Sequence, residues 1–131
     1  MSGQATVIFK DANVLRFPIG PGDFVYVPAG TPHRIVPETE SIQIRYKPKE
    51  AGWEGAAWYC EGCGRELWRA EWNTGEQISQ EGYWQACQAF NEDSARRTCA
   101  GCKTVADRID LGGYRWREIA AELRAAPAAS T

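Results

Sequence analysis

Trp58-Tyr59-Cys60-Glu61-Gly62-Cys63-Gly64 and Arg97-Thr98-Cys99-Ala100-Gly101-Cys102-Lys103 decide how this chain folds. Each is a Cys-x-x-Cys unit with glycine at its last intervening position. Two intervening residues let the backbone turn back, so that both sulfurs of a unit face one ion. Gly62 and Gly101 are expected to relieve strained backbone there and to free amides that point at sulfur. Four thiolates set tetrahedrally select zinc or a mononuclear iron and leave no open coordination position, which makes the site structural. A single unit after a strand would suit a thioredoxin-like dithiol. Two of them, each with its internal glycine, are better explained by one shared ion at Cys60, Cys63, Cys99 and Cys102. Such an ion clamps a region with too few apolar residues to hold itself together.

Outward from the first unit, Ala57-Trp58-Tyr59-Cys60 and Glu66-Leu67-Trp68-Arg69-Ala70-Glu71-Trp72 have the pattern of two hairpin arms. Residues 78–91 favour a helix, with Ile78, Trp84, Cys87 and Phe90 toward its buried side. Tyr114 to Ala125 favours a second, with Trp116, Ile119, Ala120 and Leu123 on one apolar face. The tail from Ala126 to Thr131 is expected to fray. Cys87, the fifth cysteine, lies near Trp84 and Phe90, where a lone thiol acts as a small buried hydrophobe.

The chain has 131 residues, the length of one ordinary domain, and its 44% hydrophobic and 11% aromatic content suffices for a packed core. A net charge of −2 and a pI near 5.5 leave no footprint for nucleic acid or for an anionic membrane. No apolar run is long enough to span a bilayer and no secretory leader pattern opens the chain, so a cytoplasmic location is expected. A reducing compartment disfavours a disulfide framework, and five cysteines cannot all pair within one chain.

Residues 1–52 form the β-rich part of the chain and residues 53–131 the cysteine-bearing part. Five short β-prone runs fill the first: Thr6–Phe9, Val14–Phe17, Phe24–Val27, Arg34–Val36 and Ile42–Tyr46. Asp-Ala-Asn, Gly-Pro-Gly-Asp, Pro-Ala-Gly-Thr-Pro and Pro-Glu-Thr-Glu separate them with turn chemistry, and Lys47 to Gly52 serves as a connector. Runs at this spacing suggest a small antiparallel sandwich or barrel.

Within this part, Gly22-Asp23-Phe24-Val25-Tyr26-Val27-Pro28-Ala29-Gly30-Thr31-Pro32-His33 fits Gly-x5-Pro-x-Gly-x2-His. Gly22-Asp23 turns into a strand on which Phe24 and Tyr26 face opposite to Val25 and Val27. Pro28 and Gly30 end that strand, and His33 begins the next. The segment resembles the second motif of the cupin barrels, in which this histidine is a metal ligand aimed into the barrel. Gly3 resembles the glycine that closes the first cupin motif. The chain is therefore expected to begin just after the segment that carries the His-x-His and Glu ligands.

The order of features narrows the resemblance. A cupin second motif, then Tyr46-Lys47-Pro48, Trp58-Tyr59-Cys60-Glu61-Gly62-Cys63-Gly64, a helical spacer and Arg96-Arg97-Thr98-Cys99-Ala100-Gly101-Cys102 resembles bacterial 3-hydroxyanthranilate 3,4-dioxygenases over roughly residues 3–103. Those are non-haem Fe(II) ring-cleaving enzymes with a second, rubredoxin-like four-cysteine site. The resemblance implies that His33 matches an iron ligand and that Cys60, Cys63, Cys99 and Cys102 match the four thiolates. It also implies an arginine, gripping the substrate carboxylate, where this chain has Pro37. A glutamate facing the substrate's amino and hydroxyl side is implied where this chain has Arg45.

The expected fold is mainly β within the α+β class: a partial cupin-type sandwich or barrel, then a hairpin clamped by the four cysteines, and two helices. One structural zinc or iron is expected at the four cysteines, and a catalytic Fe(II) at His33 only if further ligands are supplied, since such a site needs about three from the protein. Three functions compete. The first is a non-haem iron dioxygenase acting on a small aromatic acid. The second is a non-catalytic, metal-stabilised cupin module for binding or assembly. The third is a rubredoxin-like electron carrier, which the long spacer and the tryptophans fit less well. A partial barrel exposes sheet edges and apolar side chains, so a homodimer is expected.

Overall fold

The computed structural model describes residues 2–11, 15–48 and 51–127. The chain divides into two compact units, Met1–Lys47 and Pro48–Thr131. Together they are α+β: five short strands in two antiparallel sheets, with the helices following.

The first unit is a three-stranded sheet of β1 (Ala5–Phe9), β2 (Arg16–Ile19) and β3 (His33–Pro37), in the order β2-β1-β3. Central β1 pairs Val7 with Phe17 on one side and with Ile35 on the other, and Ala5 and Val7 are its buried residues. Pro18 is tolerated because β2 is an edge strand, where a missing N–H breaks no inner ladder. Gly3 turns the chain at φ +82°, and any Cβ there would overlap the Glu40 carbonyl and Ser41. That close approach lets Ser2 and Ile42 form a single antiparallel bridge.

Two of the five expected strands do not form. Phe24–Val27 is extended without a ladder, and Ile42–Tyr46 contributes only the bridge at Ile42. Strand propensity expresses packing on a half-buried pleated surface. Here Phe24, Tyr26 and Tyr46 are 83%, 85% and 85% exposed. The alternation nonetheless persists, with Val25 and Val27 half-buried between exposed neighbours. Val14 of the second run, Ala12 and Asn13 of its turn, and Lys49 and Glu50 of the connector lie outside the described residues.

The second unit begins with a hairpin, β4 (Trp53–Tyr59) and β5 (Glu66–Asn73), whose register shifts at Trp58/Tyr59 just before the first cysteine unit. Helix α1 (Ser79–Glu92) follows and buries Gly82, Ala86, Cys87 and Phe90, a stripe at helical spacing. Phe90 stacks on Trp58 at 4.6 Å between ring centroids, and Trp58 stacks on Trp68 at 5.5 Å, which fixes the hairpin to the helix. Trp84 is half-buried instead, with the Arg117 guanidinium over its ring.

A short helix absent from the expected pair, α2 (Ser94–Arg97), comes next. Asp93 explains it. Its extended backbone ends α1, and its carboxylate accepts the Ala95 amide at 2.8 Å as an N-cap. Arg96 then lies over the Trp68 ring at 4.6 Å and donates to the Ala89 carbonyl at 2.9 Å. Asn91 exchanges two hydrogen bonds with the Ile109 backbone, at 2.8 and 2.7 Å, in the manner of a strand partner.

The last helix, α3 (Trp116–Ala125), starts two residues later than expected, and Tyr114 stacks on the Trp116 ring instead. Ala120 is buried, whereas Leu123 is 50% exposed. The final turn of α3 is held through Arg124 to Glu81 of α1, an ionic contact that needs no apolar neighbour. The part of the tail expected to fray beyond Pro127 lies outside the described residues.

Gly82 packs directly beneath the Trp72 indole, where a Cβ would overlap the ring. Overpacking costs about 1–3 kcal/mol, against the ~1 kcal/mol that alanine gains over glycine within a helix. Gly82→Ala should therefore lower the thermal midpoint. Gly113→Ala, built into open space, should not. A pair of calorimetric scans decides it, and an unchanged midpoint in Gly82→Ala would refute this packing.

Candidate metal centre

The hairpin turn between β4 and β5 carries Cys60 and Cys63, and the turn after α2 carries Cys99 and Cys102. All four sulfurs lie within 4.8 Å of one another. Across the turns, Cys60 lies 3.5 Å from Cys102 and Cys63 lies 3.5 Å from Cys99. A metal–sulfur bond of about 2.3 Å gives a tetrahedron with edges of about 3.8 Å. The donor set therefore fits a tetrahedral zinc or iron. All five cysteines are free thiols.

Each turn contributes one inner and one outer ligand. Cys60 and Cys99 are 4% and 1% exposed, while Cys63 and Cys102 face solvent. The turns also share a backbone plan. The Cys60 amide donates to the Arg65 carbonyl and the Cys99 amide to the Thr104 carbonyl, both at 2.8 Å. The Gly64 amide donates to the Cys60 carbonyl at 2.8 Å and the Lys103 amide to the Cys99 carbonyl at 3.0 Å.

Amides do point at sulfur, as expected. The Thr104 hydroxyl and amide together hold the Cys102 thiol down to about 6, and the Cys102 and Gly101 amides lower that of Cys99. At Cys63 the Arg65 amide also acts downward, but the Cys99 sulfur, burial and the other two sulfurs outweigh it and lift the thiol to about 11. Burial lifts the Cys87 thiol to about 11, so it stays protonated as a small hydrophobe within α1.

The expected role of the internal glycines needs correction. Positive φ falls not at Gly62 and Gly101 but one residue after each second cysteine, at Gly64 (+76°) and Lys103 (+64°). Gly62 and Gly101 are small because the opposite turn presses on them. A Cβ on Gly62 would stand 3.2 Å from Thr104 Oγ1, and one on Gly101 would stand 3.2 Å from Arg65 Cζ. Arg65 and Thr104 were not among the expected site residues. The signal was available: each stands two residues after the second cysteine of its unit.

His33 opens β3 opposite Phe9, is exposed, and its Nδ1 lies 2.9 Å from the Thr31 carbonyl. Among the described residues, the four cysteines are the one group of three or more His, Cys, Asp or Glu side chains gathered tightly enough for an ion, and His33 is outside it. Pro37 and Arg45 line one wide depression of about 820 Å³ together with Ile35, Glu38 and Glu40.

Lys103 is a β-carbon-bearing residue in the left-handed region, which costs about 1–2 kcal/mol, where its counterpart is Gly64. Lys103→Gly should therefore raise the chemical-denaturation midpoint of the metal-loaded protein, and Gly64→Ala should lower it. A lower midpoint for Lys103→Gly would show that the Lys103 Nζ to Ala100 carbonyl bond, at 3.1 Å, outweighs the strain.

No family model matches the chain. It is 30% identical over 107 residues to 3-hydroxyanthranilate 3,4-dioxygenase 1 of Aspergillus clavatus and 31% identical over 107 residues to that of Aspergillus oryzae, each match covering 76% of this chain. With the 3-hydroxyanthranilate 3,4-dioxygenase of Podospora anserina it shares 32% over 103 residues, 75% of the chain. Each match covers 50% of the relative, so the chain spans about half the length of the curated relatives it matches. It is thus distantly homologous to fungal 3-hydroxyanthranilate 3,4-dioxygenases over about three quarters of its length.

Proposed function

We propose that this chain is a cupin-type metalloprotein related to 3-hydroxyanthranilate 3,4-dioxygenase, whose Cys60, Cys63, Cys99 and Cys102 hold one structural zinc or iron ion. The gathering of four sulfurs from two turns within 4.8 Å carries the proposal, and the distant homology supports the lineage. A closed thiolate tetrahedron offers no position to a substrate. Its effect is on folding, because it joins the β4–β5 hairpin to the segment after α2.

On this lineage His33 is the iron position of a ring-cleaving centre, where Fe(II) would bring an aromatic acid and O2 together. One exposed imidazole does not make such a centre, which takes about three protein ligands, and among the described residues His33 belongs to no group of three such side chains. The chemistry at Pro37 and Arg45 points the same way, since one position carries no charge and the other carries a positive one. These observations favour the second function: a non-catalytic module that keeps the cupin strands and the cysteine clamp.

Metal stoichiometry and oxygen uptake separate the two. The module should hold one ion per chain against mild chelators, release about one equivalent to a thiol-reactive reagent, and consume no oxygen with an aromatic acid. Two ions per chain, one lost readily, with substrate-dependent oxygen uptake would establish the dioxygenase. Anaerobically prepared protein without any metal would sink the four-cysteine centre itself.

Homodimerisation is proposed as well. Phe24, Tyr26, Ile44 and Tyr46 of the first unit are all more than half exposed, and apolar side chains at that density gain from burial against a second copy. Light scattering should give twice the chain mass. A monomer that binds no apolar dye would count against it.

A further inference from the structure

The repeat of the two turns extends past their ligands and then breaks. Arg65 and Thr104 are counterparts: each gives its carbonyl to the first cysteine amide of its own turn, at 2.8 Å. Both side chains then cross to the opposite turn and cover its glycine. The Arg65 guanidinium lies over Gly101, with Cζ and Nε 3.2 and 3.3 Å from the position of a Cβ. Thr104 Oγ1 lies 3.2 Å from the same position on Gly62 and 3.1 Å from Cys102 Sγ. In that position Gly62 also faces the Cys102 and Cys60 sulfurs, at 3.5 and 3.6 Å. The hydroxyl therefore occupies a slot beside ligand atoms, and the glycines exist to admit the two crossing side chains.

We infer that Arg65 and Thr104 are positioning residues that set the electronic character of the four-cysteine centre. The Thr104 hydroxyl donates to the Cys102 sulfur, and the Arg65 guanidinium supplies the cation that offsets the centre's negative charge. Four thiolates around a divalent ion carry roughly two excess negative charges. Sulfur hydrogen bonds and a nearby cation both make that excess easier to hold, and outer partners of this kind typically govern metal affinity about 10–100-fold. The two act differently. Arg65 works through charge at an exposed position, so salt weakens it. Thr104 works through one directed bond to one sulfur, which salt leaves alone. The centre is therefore chemically lopsided although its backbone is nearly two-fold.

This inference rests on the four cysteines holding a metal, and the test separates the two. Wild type, Arg65→Gln, Arg65→Lys, Thr104→Val and Thr104→Ser are each loaded with iron, and separately with cobalt(II). One ion per chain is expected in every case. The iron reduction potential should fall in Arg65→Gln and Thr104→Val and return toward wild type in Arg65→Lys and Thr104→Ser. High salt should shrink the Arg65→Gln difference and leave the Thr104→Val difference. The sulfur-to-cobalt absorption of Thr104→Val should move to longer wavelength, and its metal should pass to a chelator about tenfold faster. Equal potentials, spectra and release rates across the series would overturn the inference while leaving the metal centre standing. Wild type that takes up no ion would overturn the centre and the inference with it.

Discussion

Bringing the Cys60 and Cys63 sulfurs to within 4.8 Å of those of Cys99 and Cys102 is the constraint on which the second unit is built. The two pairs are separated by β5, α1 and α2. Closing so long a loop costs chain entropy, though that cost grows only slowly with length. What must be exact is direction. The register shift at Trp58/Tyr59 turns the hairpin into the first pair, and the Asp93 cap breaks the helix so that α2 re-aims the chain into the second. The Trp58, Trp68 and Phe90 stack, with Arg96 over Trp68, locks hairpin and helices between those two events.

The ligands are also part of the core. Phe90 and Cys99 are the two largest fully buried side chains among the described residues, and Cys60 is nearly as enclosed. An inner sulfur from each turn therefore packs like a small hydrophobe while it stands in a cluster with the spacing of metal ligands. Burial of a thiolate without its ion is costly, so metal and packing stabilise each other.

How much of this was legible depended on whether the cause was local. Cysteine spacing, the hairpin arms and the buried Cys87 and Phe90 of α1 follow from residues close in sequence and appear where expected, whereas Ile78 and Trp84 are only half-buried. The small size of Gly62 and Gly101 does not, because its cause lies in the other turn, on Thr104 and Arg65. Lys103 hides a left-handed position that Gly64 advertises openly. In the first unit, Phe24–Val27 and Ile42–Tyr46 show the alternation of strands, and alternation is a property of one segment. A ladder is a property of two, and no described segment runs alongside to complete it.

The exposed half of the centre bears on the electron-carrier alternative. Cys63 and Cys102 face solvent, so an iron there would be reachable, as electron transfer requires. A carrier, however, gains from a site whose change of charge disturbs little else in the fold. Here one turn presents a guanidinium and the other a hydroxyl, and the inner sulfurs share the core with Phe90. A change of charge at the ion would be felt unequally by the two turns and directly by the packing behind them. That coupling makes frequent redox cycling expensive for the fold. The structural ion proposed above suits that arrangement better than a carrier does.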